Sequence, residues 1–246
     1  MIKFFRKIRQ NLLTENKFSK YFFYAIGEIV LVVIGILIAL SINNWNETQK
    51  EKVKLNNVLE IVKLDLIKDT LNISIPIKYY EEKNILLSKI INKKKSKSSL
   101  DSITELNYKN YRSTLTAITS REGFNIQNKG INLLKNILIN SSFEKDTLIS
   151  NLIEKHSVFE NYFKSDNEVQ KRTRKNFEEY SEFSWFLDYI NYEYNRDMFE
   201  YFYSDIYKRK SAKYNVFTEQ YLGDLKAYDR IAKSYIYVIE KRLEKK

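Results

Sequence analysis

Histidine occurs once in this chain, as His156, and cysteine does not occur at all. Zinc sites built from thiolates or paired imidazoles, thiol redox chemistry and thiol nucleophiles all need residues that are missing here, so no metal and no cofactor is expected. His156 lies in the series Ile149, Leu152, His156, Phe159 and Phe163, whose steps of three and four share one helical face. On an apolar face an imidazole is more simply a packed core residue than a catalytic one. Glu178 and Glu182 could perform general acid–base work, but a solvated helix face already accounts for them. No catalytic residue is therefore assigned, and the chain reads as a non-enzyme.

Lys171 to Lys175, KRTRK, form a dense basic patch followed by an aromatic-rich stretch from Phe177 to Tyr207. Basic residues interleaved with aromatics can bind single-stranded nucleic acid. Here Glu178, Glu179, Glu182, Asp188, Glu193, Asp197, Glu200 and Asp205 face Arg196 as the one cation among them. Such a surface repels a phosphate backbone, so no nucleic acid partner is expected. Tyr180, Phe183, Leu187, Ile190, Tyr194, Met198 and Tyr201 recur at helical spacing and are expected to face a core. The alternative is an aromatic groove for a sugar or peptide.

The remaining candidate for chemistry is Glu28, an ionisable residue inside the apolar run Tyr21 to Ile42, YFFYAIGEIVLVVIGILIALSI. A helix over that run is about 33 Å long, enough to cross a hydrocarbon core of about 30 Å. A carboxylate there costs on the order of a few kcal/mol unless it is neutralised, paired or able to reach headgroups. Glu28, Gly35 and Ala39 fall at i, i+7 and i+11 and share one face. Gly35 and Ala39 form a small-xxx-small pair that permits close approach of a second transmembrane helix, from another copy or a partner protein. The bland reading is that Gly and Ala are common in such helices and that Glu28 stays protonated.

The elements around this run set its orientation. Lys3, Arg6, Lys7, Arg9, Lys17 and Lys20 precede it against Glu15 alone, whereas Lys50, Lys52 and Lys54 follow it. By the positive-inside rule residues 1–20 are cytoplasmic, and the body of the protein lies on the far side of the membrane. Ile2, Phe5, Ile8 and Leu12 recur at helical spacing within that leader, which suits a helix lying on anionic lipid. The run is too long for a cleaved signal peptide. Trp45 follows as an interface anchor.

The string from Met1 to Glu47, with GEIVLVVIGILIAL followed by NNWNE at its heart, resembles the signature of a domain-of-unknown-function family of single-pass membrane proteins from flavobacteria-like bacteria. The resemblance implies location in the bacterial inner membrane and this layout. It implies no activity and no role for Gly27, Glu28, Gly35 or Trp45.

Three segments are thus expected: leader 1–20, transmembrane helix 21–42 and a periplasmic domain 43–246. Five glycines and one proline leave little turn chemistry, so the fold class is all-α, an antiparallel helical bundle. Leu55, Leu59, Val62 and Leu66 begin its first helix, and Pro76 opens the next, over about 77–91. Residues 92–99, NKKKSKSS, read as a mobile basic loop. Ser102 with Glu105, Ser141 with Glu144 and Ser165 with Glu168 have capping-box spacing and predict helix starts, the first running to about Ser120. Gly123 and Gly130 bracket a turn. Phe217, Tyr221, Leu225, Tyr228, Ala232, Tyr235, Ile239 and Leu243 define a closing helix from about Asn215. An interaction or scaffold protein is the function this supports, with a sensor-like ligand-binding module as the alternative.

Overall fold

The computed structural model describes residues 18–92, 100–138, 143, 145–164 and 166–244, and no strand occurs among them. The expected leader up to residue 17, the lysine-rich loop 93–99, and the caps at Ser141, Glu144 and Ser165 lie outside the described residues.

Helix α1, Phe18–Asn72, includes both the apolar run and the first amphipathic segment. Chain contacts divide the protein into two compact units, residues 1–55 and 56–246. In the first unit one helix is long and apolar enough to cross a membrane. Its residues from Ile29 to Trp45 are exposed to their surroundings throughout.

The second unit builds its own core. Leu59, Val62, Leu66 and Asp69 of α1 are buried, at the three-and-four spacing of a single stripe, and Val58 is buried beside it. Ile73 separates α1 from α2, Ser74–Asn92. Pro76 sits in the first turn of α2, where its missing N–H leaves no intrahelical bond unmade. The backbone bonds Ile73 N–H to Asp69 and Ile77 N–H to Ile73 bridge the junction, so the break falls a few residues ahead of where the proline alone would place it.

The helix expected over 102–120 does not form. A 3₁₀ turn at Tyr108–Tyr111 and a four-residue helix α3, Arg112–Leu115, take its place. The reason is local competition: Asn107 Oδ1 accepts the Thr104 N–H at 2.9 Å, and Asn107 Nδ2 donates to the Ser102 carbonyl at 2.7 Å. A short polar side chain thereby supplies the backbone with partners that a helix would otherwise provide.

Helix α4, Lys129–Leu138, follows the glycine-bounded turn. Helix α5, Thr147–Lys164, starts at Asp146, whose Oδ1 accepts the N–H groups of Leu148 and Ile149. Its buried residues are Ile149, Leu152, His156 and Phe159, so the histidine is a core residue as its spacing indicates. Helix α6 spans Asp166–Ser181.

The aromatic stretch after it is broken into α7, Phe186–Asn191, and α8, Arg196–Phe202, with Tyr192 between them in the left-handed region at φ 57°. That break rotates the chain out of its expected register. Tyr180 and Met198 are core residues, but Phe183, Leu187 and Ile190 are exposed, and Trp185, Tyr189, Phe199 and Phe202 are buried instead. Helix α9, Asp205–Glu244, begins ten residues ahead of its expected start, and Tyr207, Ser211 and Tyr214 extend its stripe. It packs chiefly on α2 and also on α5, α6 and α8.

Candidate functional site

Glu28, Gly35, Ala39 and Trp45 all lie on α1. Gly35 and Ala39 are exposed, and a Cβ added at Gly35 would meet nothing within 4 Å. The helical backbone puts residues 28, 35 and 39 on one face, as their spacing requires.

The body contains a second cluster whose chemistry is more concentrated. Lys83 belongs to the inner stripe of α2, formed by Pro76, Tyr80, Lys83, Leu87 and Ile90, and it is 5 % exposed. Its Nζ donates to Tyr79 Oη at 2.8 Å, to Ser120 Oγ at 3.0 Å and to the Ser120 carbonyl. The rings of Tyr79 and Tyr214 lie 4.8 and 5.5 Å away, measured to their centroids. Among the described residues no carboxylate comes within ion-pair distance of it. Desolvation accordingly pulls the Lys83 amine down from the ordinary lysine range to about 7. Burial pushes the Tyr79 phenol above its ordinary value, so that hydroxyl keeps its proton at neutral pH.

The cluster is held by the end of α3 at Thr114 and the irregular segment that follows it to Glu122, whose backbone is satisfied from outside. Tyr207 Oη donates to the Thr114 carbonyl at 2.5 Å, Asn176 Nδ2 to Ile118 at 2.9 Å, and Tyr214 Oη to Ser120 at 3.1 Å. Tyr80 Oη donates to the Glu122 carbonyl at 2.8 Å. Buried carbonyls outside regular structure need such partners, and the tyrosines of this core supply them while filling it. A cavity of about 320 Å³ opens beside Lys83, lined also by Tyr79, Glu82, Leu86, Ser113, Thr116, Ala117 and Ser120.

A third cluster fastens α1 to the rest of the body. Asp65 Oδ2 accepts the Gly130 N–H at 2.6 Å at the start of α4, where the helix dipole favours a carboxylate. One turn on, Asp69 accepts the Gln127 N–H at 3.1 Å and the Tyr228 hydroxyl at 2.5 Å. Burial raises the Asp69 carboxyl to about 6, against the opposing effect of these bonds. His156 Nε2 lies 3.4 Å from the Gln127 carbonyl, and burial lowers its pKa. These groups explain one another as a structural lock.

Lys171 to Lys175 fall on α6. Arg172 and Lys175 share a cleft with Glu179 of the same helix and with Lys210 and Lys213 of α9, Glu179 pairing with Lys210, and Arg172 lies over the Phe217 ring at 3.7 Å. The sequence signal for Lys83 is its place in the 76–80–83–87–90 stripe, whose third position faces inward. No triad of metal-ligating side chains occurs among the described residues.

Among the described residues the fold is all-helical, with one candidate membrane span near the N-terminus and a helical body. The chain belongs to the Family of unknown function (DUF6090), which matches residues 28–177, from Glu28 in α1 to Phe177 in α6. No curated protein and no solved structure matches it.

Proposed function

We propose that this protein is a non-enzymatic interaction protein anchored in the inner membrane of a flavobacterium-like bacterium. Residues 21–42 form its single span, the N-terminus is cytoplasmic, and the body is periplasmic. The face of Glu28, Gly35 and Ala39 holds a second transmembrane helix, lipid surrounds the rest of the span, and Trp45 marks the outer interface.

The observation that carries this reading is the contrast within one chain. The body buries its own apolar stripes, whereas every residue from Ile29 to Trp45 is exposed and Gly35 has open space at its Cβ position. An apolar surface of that length needs lipid or another helix to cover it. The test is affinity purification of the full chain from membranes. A stoichiometric membrane partner, or a second tagged copy, is expected with the wild type and lost with Glu28→Ala or Gly35→Leu. Unchanged recovery with both variants would contradict the assigned face.

The cavity at Lys83 favours a second reading, a sensor-like module whose ligand sits in the body and whose signal passes to a membrane partner. A small molecule that raises the melting temperature of the full chain, and not of a Lys83→Met variant, would support it.

A further inference from the structure

We propose that Lys83 is the reactive amine of a covalent ligand site, at which a small aldehyde or ketone entering the cavity beside α2 condenses with Nζ to form a reversible imine. The geometry supplies each part. The amine is buried and its hydrogen-bond partners, Tyr79 Oη and the hydroxyl and carbonyl of Ser120, are all neutral oxygens. A buried ammonium without a counter-carboxylate is destabilised relative to the free amine, and the free amine is the nucleophile. Its depressed pKa of about 7 agrees with that placement.

Tyr79 Oη lies 2.8 Å from Nζ and 3.0 Å from Ser120 Oγ, within reach of a carbonyl oxygen brought up to the amine. Leu86 and Ala117 give the cavity an apolar wall for a carbon body, Ser113 and Thr116 give it hydroxyls, and the exposed Glu82 lines its rim without pairing to Lys83. Its volume of about 320 Å³ falls at the small end of metabolite-sized sites.

In the reaction the Nζ lone pair forms a bond to the carbonyl carbon while the carbonyl π pair takes a proton through the Tyr79 hydroxyl. Nitrogen returns one proton to Tyr79, the hydroxyl departs with the C–O bonding pair and takes a proton from Tyr79 to leave as water, and the second nitrogen proton passes back to Tyr79 so that a neutral C=N bond remains. Amine and carbonyl give imine and water, with no oxidant or reductant. Water reverses the step, which suits reversible capture of a ligand.

The experiment is reductive trapping of the full chain in detergent micelles with propanal and sodium cyanoborohydride at pH 7, read by peptide mass spectrometry. Lys78 and Lys89 are exposed residues of the same helix and serve as internal references. Lys83 is expected to acquire the propyl group about tenfold or more ahead of both, because burial among neutral oxygens favours its free amine. The preference shrinks as the pH is raised to 9. Tyr79→Phe is expected to slow trapping at Lys83 several-fold without altering Lys78 or Lys89. Trapping at Lys83 that is no faster than at the reference lysines, in protein whose circular dichroism is native, would overturn the proposal.

Discussion

Gly130 stands at the start of α4 against the backbone of α1. A Cβ placed there would lie 2.6 Å from Val62 Cα, 2.7 Å from Val62 N and 2.9 Å from Val62 Cγ2. Carbon atoms rest at about 3.5–4.0 Å, so Gly130→Ala forces the two helices apart by about 1 Å. Val62 is itself 1 % exposed and has no free side to move into. Overpacking of this kind costs about 1–3 kcal/mol. The same displacement stretches the 2.6 Å bond from the Gly130 N–H to Asp65, a charge-assisted bond worth about 1.5–3 kcal/mol when lost outright. With partial loss of that bond, the expected destabilisation is about 2–4 kcal/mol, a fall in Tm of the order of ten degrees for a body this size. Gly223 provides the control. It lies in the interior of α9, where a Cβ would meet nothing within 4 Å. Gly223→Ala is expected to gain about 0.5–1 kcal/mol from helix propensity. Thermal unfolding of both variants in detergent micelles, followed by circular dichroism, reads the two signs side by side. A Gly130→Ala protein melting with the wild type would refute the close approach of α4 to α1.

Asp69 makes stability depend on pH in a stated direction. Its folded pKa of about 6 exceeds the ordinary 3.8, so its favourable contribution is present at low pH and lost as pH rises through about 6. The charged and titratable groups around it are Asp65, Lys68 and Tyr228. Wild type minus Asp69→Asn is expected to shift against the wild type by up to about 3 kcal/mol between pH 4 and pH 7 in urea unfolding. A difference that stays flat over that range would remove the assignment. Asn195 caps α8, its Oδ1 accepting the Met198 N–H at 3.1 Å while its Nδ2 donates to Asp188 at 2.6 Å. Asn195→Ala is expected to cost about 1–2 kcal/mol by the same unfolding assay, and no loss would mean the break between α7 and α8 is set elsewhere.

Long stripes with uniform spacing were legible from residue types alone. The inward face of α5 with His156, and most of α9, follow from steps of three and four that nothing local opposes. The segment 102–120 was not legible because its capping spacing is real but Asn107 closes a turn before a helix can propagate. In the aromatic stretch nearly every position is apolar, so several registers fit equally well. Asn195 was the available sign of a fresh helix start, and Tyr192 has no sequence feature that announces its left-handed backbone. Lys83 is not legible for another reason: a basic residue between Glu82 and Asn84 reads as solvated, and only the α2 stripe places it inside. Ser120, which supplies two of the three acceptors of Lys83, lies in the 116–122 segment, whose irregular path tertiary contacts with α6 and α9 hold. The face at residues 28, 35 and 39 was readable as geometry, since one helix suffices to define it.

The central claim, that residues 21–42 anchor a helical body on the periplasmic side, is most directly tested with reporters fused after Lys246 in a bacterial host. Alkaline phosphatase, active only outside the cytoplasm, is predicted to be active and to sediment with membranes that withstand alkaline carbonate. A fluorescent protein that matures only in the cytoplasm, fused at the same point, is predicted to stay dark. A bright fluorescent fusion with an inactive phosphatase, or a fusion released in soluble form, would contradict the account.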